Sequence, residues 1–162
     1  YDWRQRYKDA KEALEELNQL FGFVKLENKS SEDWFTERNQ LFDLQKYEEA
    51  IASYDQAIAI KPDDHEVWYN RGVALQKLQE YRQAIASYDQ AIAIKPDNHE
   101  VWYNRGVAFE KLQKYREAIA SYDQAIAIKP DDDQVWCNRG VAFEKLKEYE
   151  EALKCYKKAI SI

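Results

Sequence analysis

The chain has no methionine, only two cysteines, two histidines, three prolines and four glycines in 162 residues. Each shortage removes a class of protein. A disulfide framework needs more cysteines at their own spacing, so Cys137 and Cys155 read as reduced residues of a cytoplasmic protein. His65 and His99 stand at helix starts beside Asp or Asn, and no partner recurs at ligand spacing, so no metal site is expected. There is no Gly-rich phosphate loop and no nucleophile motif with its base. No catalytic residue and no cofactor is therefore expected, and the chain reads as a non-enzyme. It contains no secretory signal and no run of about 18 apolar residues that could span a membrane. Cations are outnumbered, 24 Lys and Arg against 30 Asp and Glu, giving a net charge of -6. That balance argues against nucleic acid and anionic membrane as partners, since both call for basic surfaces. A sequence without methionine that begins at Tyr1 is expected to be part of a longer protein.

What is present is a 34-residue unit repeated almost verbatim. Trp68-Tyr69-Asn70-Arg71-Gly72-Val73-Ala74 returns as Trp102 to Ala108 and again, with Cys137 in place of Tyr, as Trp136 to Ala142. The second half of the unit begins at Ala50, Ala84 and Ala118. Such a period marks a solenoid, in which each unit buries its apolar face only against its neighbours. Function is then expected on the surface of the stack.

Within one unit, Trp68, Gly72, Leu75 and Leu78 recur at helical spacing, and so do Tyr81, Ala84, Ile85, Tyr88, Ala91 and Ile92. Gln79-Glu80 leaves room only for a tight turn, so the two helices are antiparallel neighbours. Pro62, Pro96 and Pro130 stop each second helix, and the Asp and Asn after them cap the next one. Lys61, Lys95 and Lys129 suit a helix C-terminus. Glycine inside a helix costs about 1 kcal/mol relative to alanine. Gly72, Gly106 and Gly140 are thus expected where two helix backbones approach closely, opposite small residues such as Ala84 and Ala91.

These residues, spaced W-x3-G and Y-x2-A-x3-Y-x2-A before a Pro, resemble the tetratricopeptide repeat, in wording close to bacterial members. The resemblance covers residues 31–162 as four repeats, 31–64, 65–98, 99–132 and 133–162. It implies an all-α, right-handed superhelical solenoid of antiparallel helix pairs, with first helices lining a concave groove and second helices forming the convex back. The first repeat departs from the pattern, because Arg38 stands at the glycine site. Residues 1–30 form an extra N-terminal helix and connector with a stripe of Trp3, Tyr7, Ala10, Leu14, Leu17 and Phe21. Its origin stays open between a decayed second-type helix, a capping helix and a coiled-coil segment that pairs two copies. In each case residues 3–20 are expected to pack at an angle unlike that of a regular repeat.

Arg71, Arg105 and Arg139 recur together with Asp55, Asp89 and Asp123. Pairing inside one repeat would oppose Glu37 to Asp55 and Arg139 to Lys157. Pairing each Asp with the Arg of the following repeat removes both clashes, so Asp55–Arg71, Asp89–Arg105 and Asp123–Arg139 are the expected ion pairs.

The groove that the resemblance implies presents Phe35, Tyr69, Tyr103 and Cys137 in one row. Beside it run Asn70, Asn104 and Asn138, then Val73, Val107 and Val141, then Gln76, Glu110 and Glu144. An Asn row can donate to and accept from an extended backbone, while Tyr and Val accept apolar side chains. The peptide-binding candidates are accordingly Phe35, Tyr69, Asn70, Val73, Tyr103, Asn104, Val107, Asn138 and Val141. The variant of the family that grips acidic tails needs Lys where this chain has Tyr69 or Tyr103, and Asn where it has Val73 or Val107. The expected partner is a protein or peptide that is not strongly acidic. Two other readings compete: self-association, through the apolar face of the last second-type helix, where Ala152, Tyr156 and Ala159 would be exposed, or through the N-terminal helix, and service as the sensor or regulatory arm of a larger enzyme.

Overall fold

The computed structural model describes residues 46–162, which form seven helices and, among the described residues, no strand. They are α1 (Tyr47–Ile60), α2 (His65–Lys77), α3 (Tyr81–Ile94), α4 (His99–Lys111), α5 (Tyr115–Ile128), α6 (Asp133–Lys145) and α7 (Tyr149–Ile160). Helix α1 is the second helix of the first repeat, and α2–α3, α4–α5 and α6–α7 are three complete pairs. Each helix packs on those before and after it in the chain, which is the all-α solenoid the period implies. The N-terminal helix, its docking angle, Phe35 and the Arg38 site all lie outside the described residues.

The helix ends follow from local chemistry. Asp64 accepts from the backbone N–H of Glu66 at 3.2 Å, Asn98 from Glu100 at 3.0 Å and Asp132 from Val135 at 3.4 Å. Each satisfies a donor that the first helical turn leaves free. The Trp at the fourth position pins the turn it leaves behind. Its indole N–H donates to the carbonyl oxygen of Pro62, Pro96 or Pro130 at 2.8 to 2.9 Å. At the other end, Gln79, Gln113 and Lys147 take left-handed backbone with φ of 63°, 60° and 62°. The next N–H then reaches back into the last turn, as Glu80 does to Leu75 at 2.9 Å. That closes a Schellman turn without the glycine it usually carries.

The core runs along the stack. Ala84, Tyr88, Ala91, Ala118, Tyr122 and Ala125 are fully buried, as the periodicity requires. Val67, Val101 and Val135 join them at 3 % exposure or less, although they fall beside the first-helix stripe read from the sequence. Two expectations need correction. The helical glycines make room for a ring and not for a facing backbone: a Cβ on Gly72 would meet the Tyr88 ring at 2.5 Å, and one on Gly106 would meet Tyr122 at 2.5 Å. A tyrosine lying across the first helix needs the volume a methyl group would occupy. Ala152 is buried at 3 %, because it faces its own first helix, α6. The exposed apolar residues of α7 are Tyr149, Leu153 and Ile160, with Ile162 beyond it.

Candidate functional site

Two sets of contacts stitch successive repeats together. The first is the set of Arg–Asp pairs, in the register expected. Arg71 Nε lies 2.7 Å from Asp55 Oδ1, Arg105 from Asp89 at 2.7 Å and Arg139 from Asp123 at 2.7 Å. Each guanidinium also donates from Nη1 to its own repeat's second helix, at Ser87 (2.7 Å), Ser121 (2.8 Å) and the sulfur of Cys155 (3.0 Å). The cation of Arg105 lies over the rings of Trp102 and Phe109, at 5.6 and 4.8 Å. The Ser partners escaped the sequence reading, although Ser87 and Ser121 recur at the repeat period. These arginines are about four-fifths buried and spent on structure, so they are not available to a ligand.

The second set lies on the first helices. Asn104 Nδ2 donates to Tyr69 Oη at 3.1 Å, and Asn138 Nδ2 donates to Tyr103 Oη at 3.0 Å. Asn104 also donates to the carbonyl oxygen of Glu100 at 2.9 Å. The Asn and Tyr rows therefore form one ladder that crosses from repeat to repeat. Asn70 makes no such bond among the described residues, and the residue at the matching place of the first repeat, Phe35, has no hydroxyl in any case. Behind the ladder, the Tyr69 and Tyr103 rings pack on Tyr88 and Tyr122 with centroids 6.2 and 6.1 Å apart. The buried rings reach across to the next row, where the hydroxyls of Tyr88, Tyr122 and Tyr156 donate to Gln76, Glu110 and Glu144 at 3.2, 3.1 and 2.8 Å. Burial pushes the Tyr88 and Tyr122 phenols well above their ordinary range. Tyr156 rises to about 12, through burial first and then its bond to the Glu144 carboxylate. Val73, Val107 and Val141 are half-buried beside the ladder.

A cavity of about 330 Å³ opens on this face. Tyr69, Tyr103 and Asn104 line it, as do His99 and Glu100 from the first turn of α4. Lys129, Asp132 and Gln134 close it from the turn before α6 and from α6 itself. Asp132 Oδ2 sits 3.8 Å from His99 Nε2 and 3.6 Å from Lys129 Nζ. Burial raises the pKa of both Tyr69 and Tyr103; Glu100 adds to the shift at the first, and Asp132 and Glu110 add to it at the second. Of the residues named from the sequence, the cavity gathers Tyr69, Tyr103 and Asn104. Asn70, Val73, Val107, Asn138 and Val141 lie outside its lining. Glu100 is legible in the sequence as a groove acid, but His99, Lys129 and Asp132 were missed because the groove was read mainly from the residues after Trp. Glu100 stands four before Asn104 and His99 four before Tyr103, so the helical period carries the signal.

Comparison with known proteins agrees with this architecture. Family models described as TPR repeat or tetratricopeptide repeat match residues 39–79, 69–133 and 134–162. No curated protein matches the chain. Among solved structures, a crystal structure of MamA is similar with a TM-score of 0.82 and 24% identity, covering 86% of this chain and 82% of that one. A second, of MamA protein, has a TM-score of 0.81 at 25% identity, covering 85% and 75%. MamA 41-end from Desulfovibrio magneticus RS-1 reaches 0.79 at 19% identity, covering 97% and 89%.

Proposed function

Since the chain belongs to the tetratricopeptide repeat family, whose solenoids serve as protein–protein interaction scaffolds, we propose that it binds a peptide or an extended segment of a partner protein along its first-helix face. The observation that carries this reading is the ladder of Tyr69, Asn104, Tyr103 and Asn138. It holds polar and aromatic side chains half-exposed and in register, one set per repeat, while the arginines are consumed by structure. Packed helices stand about 8–10 Å apart, roughly three residues of extended chain, so a strand-like ligand could meet one rung every third residue. Phe35, Asn70, Val73, Val107 and Val141 continue the same rows and are proposed to extend the contact. Glu66, Glu100, Glu110 and Glu144 make the face unfavourable to acidic peptides.

The test is selection of binders from a random peptide library, followed by affinity measurement on two variants. One replaces Asn70, Asn104 and Asn138 by Ala; the other alters Gln90 and Gln124 on the second helices. Selected peptides are expected to lose roughly tenfold or more on the first variant and to keep their affinity for the second. Because Asn104 and Asn138 also link repeats, circular dichroism of the first variant is recorded alongside. The reverse pattern in a folded variant would move the site to the convex back.

Self-association is a second reading, favoured by Leu153 at 53% exposure where Ile119 shows 8%. Molecular mass against concentration, for the unaltered chain and for Leu153→Glu, tests it. A concentration-dependent mass that the substitution abolishes supports it, and a constant monomer mass removes it.

A further inference from the structure

We propose that the cavity between Tyr69 and Tyr103 receives a basic side chain, a guanidinium or an ammonium, from a peptide lying on the first-helix face. This deepens the groove reading above and rests on it. The hydrogen bonds make the first argument. Asn104 and Asn138 each donate to a phenol oxygen, so Tyr69 and Tyr103 act there as acceptors. The Tyr69 O–H finds no acceptor among the described residues, whereas Tyr103 also has the Gln134 side-chain amide as a hydrogen-bond neighbour. The Tyr69 hydroxyl remains as a donor for a carbonyl oxygen of a backbone passing over the cavity. Charge makes the second argument. Glu100 has no ion-pair partner among the described residues, whereas Asp132 is already satisfied by its capping bond, Lys129 and His99. The free carboxylate lines the same cavity as Tyr69 and Tyr103, and a carboxylate together with aromatic rings attracts a cation.

Size and the rival occupants point the same way. About 330 Å³ lies at the lower end of ligand pockets, room for one long side chain. An acidic side chain would face Glu100 with Lys129 already engaged by Asp132. An apolar one would cover His99, Glu100, Asn104 and Gln134 and return no hydrogen bond. A guanidinium satisfies the carboxylate and stacks on a ring with the same planar group. The negative influence of Glu100 and Asp132, which helps to raise the Tyr69 and Tyr103 phenols, is felt where the cation would sit.

N-acetyl-arginine N-methylamide, N-acetyl-norleucine N-methylamide and N-acetyl-glutamate N-methylamide would be titrated into the isotopically labelled chain. The side-chain amides of Asn104 and Gln134, with the backbone of residues 99–104, report binding by NMR. The arginine probe is expected to give saturable shifts there, weakened about fivefold by Glu100→Gln, with the glutamate probe giving none. The substitution is at an exposed first-turn position, and an unchanged spectrum elsewhere shows that the fold is kept. Equal binding of the norleucine or glutamate probe, equal binding to Glu100→Gln, or shifts that never saturate would each overturn the inference. Library peptides that bind the first-helix face without a basic residue would sink this proposal and leave the groove reading standing. Peptides that bind elsewhere would sink both.

Discussion

Helices α5 and α7 occupy the same slot of the repeat, yet they live in different surroundings. On α5, Ile119 is 8% exposed and Tyr122 is fully buried. On α7 the matching Leu153 is 53% exposed, and Tyr156 is only half-buried. Both helices pack on the first helix of their own repeat, and of the two, among the described residues, α5 also has a following first helix, α6, against its other side. The residues that face the partner within the pair, Ala118 and Ala152, are buried in both. Burial in this fold is thus delivered in two instalments, and a side chain's contribution depends on which neighbour supplies it.

Removing side chains from the face that only α5 has covered should break the symmetry most. Ile119→Ala is expected to cost about 3 kcal/mol and Leu153→Ala less than about 1 kcal/mol, because cavity costs arise only where neighbours surround the side chain. Urea titrations of the two variants, at constant m-value, measure the difference. Equal costs would mean that α7 is covered in solution.

The glycine sites give a smaller contrast. Alanine at Gly106 meets the Tyr122 ring at 2.5 Å, and that ring has nowhere to go. Overpacking of about 1–3 kcal/mol should outweigh a helix-propensity gain of about 1 kcal/mol. At Gly140 the obstacle is Tyr156 at 2.6 Å, and a half-exposed ring can swing outward. Gly140→Ala is expected to be close to neutral, at the cost of the Tyr156–Glu144 bond. Thermal unfolding orders the two variants, and a destabilisation at Gly140 matching that at Gly106 would show that Tyr156 is held as firmly as its interior counterpart.

The turns should show no contrast at all. Gln113 precedes α5 and Lys147 precedes α7, both in left-handed backbone closed by local hydrogen bonds. Gln113→Gly and Lys147→Gly are each expected to stabilise by roughly 0.5–1 kcal/mol, since glycine escapes the Cβ clash of that conformation. Hydrogen exchange of the adjoining helices, repeat by repeat, tests whether the two gains are equal. Unequal gains would mean that the turn senses the neighbouring repeat.

Much of this molecule is written in one dimension. The 34-residue period, the caps at Asp64, Asn98 and Asp132, and the tight turn at Gln79 depend on residues a few positions apart, where chain geometry leaves few options. The Arg–Asp register was also legible, because the exceptions at Glu37 and Lys157 eliminated the alternative by charge alone. The groove rows were readable as rows. That Asn104 donates to Tyr69 across 35 residues was not, because a hydrogen bond needs distance and direction that composition does not carry. The same limit hid the ring that fills the space over Gly106, the burial of Ala152 against α6, and the meeting of His99, Glu100 and Asp132 around one cavity. Local interactions set which segments are helices and how they repeat. Only packing, which joins residues far apart in the chain, decided which faces are covered and which polar groups are left with bonds to give.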